Sequence, residues 1–333
     1  LGRPENGFSP EYSVAPAAHR LGELLNQEVF TIDNCIGDAV QKRAKQLKPG
    51  EILVLENVRF HPEEKQNDPE FAAQLASLGE VFINDAFGTA HRHHASTEAV
   101  ARLMPSAAGF LMQKEVEAFQ PLLEHPDKPL VAVIGGSKVS SKIGVLEKLM
   151  CNSAAMVIGG GMSYTFLKAQ GHNIGKSLYE EEYLHTAKEL LEEAEEIGVE
   201  IVLPVDHVAA SEFSEDAVPV QIDSMDIPDD LLALDIGPKT IEKIRPHIES
   251  AKTVFWNGPM GVFEIPAFAN GTESVAHIIA DSPAFSVVGG GDSVAAANLF
   301  HITDKMDHIS TGGGASLEFV EGRKLPGLAV LED

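Results

Sequence analysis

The chain is poor in cysteine, in cationic side chains and in long apolar runs, and each shortage removes a class of protein. Only Cys35 and Cys151 occur in 333 residues, far apart and in no CxxC pair. That excludes a disulfide framework and a thiolate zinc site and fits a reducing compartment. No segment approaches the ~20 continuous apolar residues of a membrane span, and no basic, then apolar, then small-residue leader opens the chain. Lys and Arg number 25 against 50 Asp and Glu, a formal charge of −25. A nucleic-acid binder would need the opposite balance. Neither the Walker pattern GxxxxGK followed by Ser or Thr nor a GxGxxG fingerprint at a strand exit is present, which argues against a P-loop enzyme and a dinucleotide-dependent oxidoreductase.

What is abundant is glycine at the ends of strands. Four times a short apolar or β-branched run enters a glycine cluster: Val131–Gly136, Met156–Gly161, Ser286–Gly291 and His308–Gly314. Glycine lets backbone approach a ligand closely, and bare amides at the start of a following helix favour an anion. Four such junctions point to a nucleotide or multi-phosphate site at strand ends. Strand-like runs at Ile52–Leu55, Val81–Ile83, Val131–Ile134, Met156–Ile158, Glu200–Val205, Thr253–Trp256 and Phe285–Val288 alternate with helical stretches. One of these repeats Leu184, Ala187, Leu191 and Ala194 at helical spacing and stops at Gly198. This alternation predicts parallel sheets covered on both faces, with ligands beyond the carboxyl ends of the strands.

Chain length predicts two domains, with a boundary around 108–129, where Met112, Val116, Phe119 and Leu123 form one helical stripe before Pro126. The acid is uneven: residues 1–108 balance at −5 and residues 109–333 at −20. An anionic substrate meets less repulsion in the first part.

Gly135-Gly136-Ser137-Lys138-Val139-Ser140-Ser141-Lys142 is the sharpest motif. It predicts a helix opening at a strand end, with Lys138 and Lys142 on one face as a phosphate clamp; two solvated lysines are the alternative. Gly289-Gly290-Gly291-Asp292-Ser293 adds a carboxylate that suits Mg²⁺ or simply caps a helix. Thr311 and Gly312–Gly314 present consecutive amides suited to a phosphoryl group, and Asn257 to Glu264 form a loop suited to a base or ribose. In the first part, Arg59 and His91-Arg92-His93-His94 follow strands, and the reading favours anion binding over metal.

At these residues the chain resembles phosphoglycerate kinase. Leu1–Pro4 (LGRP), Leu55–Glu64 (LENVRFHPEE), Asn84–Arg92 (NDAFGTAHR), Gly135–Ile143 (GGSKVSSKI), Leu234–Thr240 (LDIGPKT), Asn257–Glu264 (NGPMGVFE), Gly289–Ser293 (GGGDS) and Ser310–Glu318 (STGGGASLE) are similar to its signatures, in its order. The resemblance implies an α/β fold of two Rossmann-like three-layer α/β/α lobes with parallel sheets, joined by a hinge helix. It implies an acceptor lobe at 1–108 for 3-phosphoglycerate, a hinge at 109–125, a nucleotide lobe at 126–318, and a tail at 319–333 returning to the first lobe.

By the same resemblance, Leu1, Gly2, Arg3, Arg59 and Arg92 bind the acceptor, and Lys138 with Gly312, Gly313 and Gly314 meets the moving phosphoryl group. Gly136, Lys142, Gly160, Gly237, Asn257, Pro259, Glu264, Gly290, Gly291, Asp292 and Ser293 serve MgATP or MgADP, with Glu264 at the ribose and Asp292 at Mg²⁺. The implied enzyme is a cytoplasmic monomer of glycolysis, with no nucleic-acid or membrane partner. Two departures are Ser141, where the family more often has Asp, and His93, where a small residue is usual. Family members also begin about one βαβ unit earlier, with an Asp-Phe-Asn loop, a further arginine and a His. The expectation that follows is an N-terminally truncated enzyme, with a catalytically incompetent nucleotide-binding fragment as the alternative.

Overall fold

The computed structural model describes residues 2–4 and 7–332. The chain divides into two compact units, Leu1–Gln113 with Lys324–Asp333 and Lys114–Arg323.

In the first unit, helices α1 (Ala15–Leu25), α2 (Asp38–Lys45), α3 (Pro62–Lys65) and α4 (Pro69–Ala76) alternate with strands β1 (Val29–Thr31), β2 (Ile52–Val54), β3 (Phe82–Asn84) and β4 (Ser106–Ala108). Several helix starts are written locally. Pro62 and Pro69 occupy first helical positions, where a missing N–H costs nothing, and the Asp68 carboxylate accepts the Phe71 amide at 2.8 Å. The strands pair in parallel as β1–β2 and β3–β4. Sequence reading identified β2 and β3 but not β1 or β4, although all four are three residues long. A small core joins Cys35, Phe71, Ala72 and Ala95.

Helix α5 (Phe110–Glu124) runs from the first unit into the second and carries Pro121 inside its last turn. The second unit holds a six-stranded parallel sheet, ordered β13-β12-β11-β5-β6-β7. Its strands are β5 (Leu130–Ile134), β6 (Ala155–Ile158), β7 (Glu200–Val202), β11 (Thr253–Asn257), β12 (Phe285–Val288) and β13 (His308–Ile309). Side chains alternate across the sheet, and both faces are covered. Leu130, Ala132 and Ile134 face one core with Phe119, Leu146 and Phe166, under α6 (Ile143–Met150), α7 (Ser163–Ala169) and α8 (Leu184–Ile197). Val131 and Val133 face the other with Ile244, Val275 and Ala296, under α9 (Pro238–Ser250), α10 (Asn270–Asp281) and α11 (Gly291–Leu299). That is the three-layer α/β/α arrangement the sequence predicts. Gly198, at φ 76°, ends α8 in the left-handed conformation.

Two details differ from the sequence reading. The strand expected over Glu200–Val205 stops at Val202, because Pro204 two residues on has no amide for a ladder. Three further strands, β8 (His207–Ala210), β9 (Val220–Ile222) and β10 (Leu232–Ile236), form an antiparallel sheet that the βα alternation did not foresee. The chain continues through α12 (Gly314–Val320) to the short α13 (Pro326–Ala329), which belongs to the first unit.

Candidate active site

The glycine clusters after β5 and β6 and the Gly258–Gly261 loop after β11 are used first to pack three loops against one another. The Gly135 amide donates to Asn257 O at 2.8 Å, Gly136 N to Pro259 O at 3.1 Å, and Gly160 N to Met260 O at 3.0 Å. A Cβ on Gly160 would lie 2.7 Å from Gly136 backbone atoms, and one on Gly135 or Gly258 would collide with the facing loop. Gly291 and Gly314 are different. Neither has positive φ, and nothing lies within 4 Å of where a Cβ would stand. Neither packing nor backbone conformation requires glycine there.

The two lysines part company. Both were expected on one face of a single helix, but Val139–Ser141 is a 3-10 turn and α6 begins only at Ile143. Lys138 therefore caps the turn and Lys142 caps α6, each outside the regular helix. Ile143, at the start of α6, is only half-buried, whereas Leu146 and Met150 are buried. Lys138 is exposed; its carbonyl accepts Ser141 Oγ at 2.9 Å, and its ammonium makes no hydrogen bond or ion pair with the described residues. The Lys142 ammonium donates to Asn257 Oδ1. Burial pushes Lys142 below the usual lysine range, opposed by the charges of Asp292 and Glu321. Asn257 is fully buried; its Nδ2 donates to Gly289 O at 2.6 Å. Ser293, also fully buried, accepts Gly258 N through Oγ at 2.5 Å. The side chains of Asn257 and Ser293 are thus spent on holding the loops.

Beside this frame lies a cavity of about 740 Å³, of the size that suits a nucleotide. Gly136, Gly160, Pro259, Glu264 and Asp292 line it. Asn257, Ser293, Lys142, Gly290 and Gly291 belong to the adjoining loops and helix start. Gly237 stands apart. It precedes α9, where the buried Asp206 carboxylate accepts Lys239 N at 2.9 Å and Thr240 N at 2.8 Å, and a side chain at 237 would strike Asp206. The sequence reading missed the cavity's apolar wall, formed by Leu178, Phe213, Leu232, Leu234, Val262 and Ile265. Phe213, an isolated aromatic in an acidic stretch and 65% exposed, was the one available signal.

The Gly312–Gly314 turn is held from α5. Glu115, 1% exposed, accepts Thr311 N at 2.6 Å, Thr311 Oγ1 at 2.7 Å and His308 Nε2 at 2.9 Å. Burial raises this carboxyl, but the hydrogen bonds from His308 and Thr311 outweigh it and hold it below its ordinary range. Gly312 N donates to Ser310 Oγ, whereas the exposed Gly314 opens α12.

In the first unit, a pocket of about 330 Å³ is lined by Gly2, Arg3, Arg59 and Arg92 together with His94. Leu1 lies outside the described residues. Arg59 Nη2 sits 3.4 Å from His94 Nδ1. Burial, then the neighbouring charges of Arg92 and Arg3, lower the Arg59 pKa. Burial and the charges of Arg59 and Arg92 push His94 down to about 4. The pocket thus gathers arginine charge beside a neutral imidazole, an arrangement relieved by a bound anion. His93 turns away, to Glu98 at 2.7 Å.

Asp292 and Glu264 are the two carboxylates among the proposed nucleotide residues that line the cavity, and Asp292 stands in the first turn of α11. A single carboxylate fits Mg²⁺, which completes its shell with substrate phosphate and water. No group of three or more His, Cys, Asp or Glu side chains among the described residues could hold a metal by itself.

The family model for phosphoglycerate kinase matches residues 1–323. A curated phosphoglycerate kinase of Borrelia duttonii is 54% identical over 332 residues, covering 100% of this chain and 85% of its own. One of Anaeromyxobacter is 55% identical over 335 residues, with the same coverage. The solved structure of phosphoglycerate kinase from Coxiella burnetii aligns with TM-score 0.91 at 46% identity, covering 100% of this chain and 84% of that one. The Pyrococcus horikoshii enzyme aligns at 0.83 and 35%, covering 99% of this chain and 84% of that one. A match of this extent in both sequence and fold means that the chain belongs to the phosphoglycerate kinase family.

Proposed function

We propose that this chain catalyses reversible phosphoryl transfer between 1,3-bisphosphoglycerate with ADP and 3-phosphoglycerate with ATP. Its family membership carries the reaction class. The observation that carries the division of labour is an arginine-lined pocket in one unit and a glycine-framed cavity beside two lysines in the other. Gly2, Arg3, Arg59 and Arg92 hold the acceptor's carboxylate and phosphate, as guanidinium forks do. Pro259 and Glu264 meet the nucleoside. Lys142 and the starts of α11 and α12 receive the phosphates, with Gly291, Gly313 and Gly314 leaving the backbone open and Gly290 making room for the Asn257 amide. Asn257 and Ser293 act through the loops they fix, and Gly237 through the α9 cap.

Transfer then needs positioning and electrostatic stabilisation of a charge-rich group, with no covalent enzyme intermediate. Lys138, the unanchored cation, tracks the phosphoryl group as it moves, and the Gly313 and Gly314 amides face it, whereas Gly312 N is taken by Ser310 Oγ. Mg²⁺ held by Asp292 and the nucleotide would neutralise phosphate charge. Residues 109–125 serve as the hinge that lets the two substrates meet in line. By analogy with its family we assign the protein to the cytoplasm as a monomer. Separately, no helix among the described residues is long and apolar enough to cross a membrane.

A coupled assay of ATP consumption with 3-phosphoglycerate tests the proposal. Turnover that requires 3-phosphoglycerate and Mg²⁺ is expected. ADP binding without turnover would support the binding-fragment reading instead.

A further inference from the structure

Lys138 and Lys142 both stand outside regular helix, but only one has an anchored ammonium. Lys142 is fixed through Asn257, whereas the Lys138 ammonium has no hydrogen-bond partner among the described residues and leaves from the backbone that opens the next turn. That backbone is extended, at φ −132° and ψ 128°, and leads into the Val139–Ser141 turn. The amides that open this turn would ordinarily be offered to an anion. Here a carboxylate from elsewhere in the chain takes them. Glu180 Oε2 accepts Ser140 N at 3.0 Å, and Oε1 accepts Ser140 Oγ at 2.6 Å.

The Val139 amide also contributes, and burial of the Glu180 carboxyl is outweighed by these donors and by the nearby Lys138 charge, so it lies below its ordinary range. Glu180 is itself tied down: its amide donates to Oγ1 of Thr165, a buried residue of α7, at 3.1 Å. Leu178, two residues before it, lines the nucleotide cavity. The loop 178–180 therefore touches the cavity with one side chain and clamps the lysine-bearing turn with another.

We infer that Glu180 is a positioning residue for Lys138: by holding Val139–Ser141 it sets the direction in which the free ammonium leaves the backbone. The inference rests on the role proposed for Lys138. It gives the polar Glu180 clamp a purpose beyond stability, because the turn could otherwise be satisfied by water.

The test uses the full chain and four variants, Glu180→Ala, Ser140→Ala, Lys138→Ala and the Glu180→Ala/Lys138→Ala double variant. Turnover is measured together with calorimetric affinities for MgATP and MgADP, the latter pair being readable without turnover. Misdirection of a catalytic cation costs on the order of 10- to 100-fold in rate. Glu180→Ala is expected to lower turnover about that much and to weaken MgATP several-fold, while MgADP stays within about twofold, since only the terminal phosphoryl group loses its partner. Ser140→Ala, which keeps the amide bond and the fold, should fall between parent and Glu180→Ala.

In the Lys138→Ala background, removing Glu180 should cost nothing more, because both changes delete one interaction. The inference is overturned if Glu180→Ala and Ser140→Ala match the parent, or if the Glu180 loss persists undiminished without Lys138. A Lys138→Ala single variant with parental turnover and MgATP affinity would instead remove the role given to Lys138, and the Glu180 role with it.

Discussion

Gly160 and Gly291 both sit where a strand gives way to a helix, yet an added methyl does opposite things at them. At Gly160 the backbone has φ 65° and the Cβ would stand 2.7 Å from Gly136. Gly160→Ala is expected to cost roughly 2 kcal/mol or more in urea unfolding, combining strain with a clash against backbone that cannot yield. At Gly291 the space is open and the conformation ordinary, so Gly291→Ala should leave stability within about 0.5 kcal/mol while weakening MgADP. Parental MgADP affinity in Gly291→Ala would remove the close approach proposed there.

Asp292 gives a second test at this scale. Asp292→Ala should weaken MgADP more than free ADP, and equal losses by calorimetry would withdraw the metal role. Motif reading found these residues because their neighbours in sequence are also their neighbours in space. It could not tell a loop-packing glycine from an open one, since that depends on which backbone lies opposite.

At the scale of elements, the end of β10 shows how a buried carboxylate can serve a helix start. Asp235 is fully buried; Oδ2 accepts Gly271 N in the first turn of α10 at 2.6 Å, and Oδ1 accepts Ile236 N at 2.9 Å. Burial raises its pKa from 3.8 to about 7, the two amides opposing. The folded state therefore holds this proton over a pH range in which the unfolded chain has lost it. Stability contributed by this group is largest below the unfolded value and falls as pH rises towards 7. Asp235→Asn removes the titration, so the stability of the parent relative to the variant should fall from pH 4 to pH 7 in thermal melts; a difference independent of pH would refute it. The α/β/α layering around this strand was legible from apolar runs and glycine stops. The antiparallel sheet of β8, β9 and β10 was not, because its strands are joined by loops rather than by the helices of a repeating βα rhythm. The Lys138 turn was likewise misread as helix, since its conformation is set by Glu180, 40 positions away.

For the whole molecule, a formal charge of −25 makes an anionic substrate unwelcome everywhere except where cations are gathered. Arg3, Arg59 and Arg92 do this in one unit, Lys138 and Lys142 in the other. Because each ligand stabilises only the state it binds, the two should leave separate footprints in hydrogen exchange. MgADP should protect 136–142, 257–264, 289–293 and 312–314, and 3-phosphoglycerate should protect 58–60 and 88–94. MgADP protection confined to the arginine loops would reverse the assignment of substrates to units.

The amino-acid sequence by itself determined the family, the βα rhythm and the glycine, lysine and arginine positions of the candidate site, because these are carried by contiguous residues whose chemistry is local. Tertiary structure alone decided which lysine is anchored, which glycines face open space, and that Glu115 and Glu180 hold the Thr311 and Ser140 turns. Those are contacts between residues 196 and 40 positions apart. A buried carboxylate has meaning only once the donors that satisfy it have been brought around it.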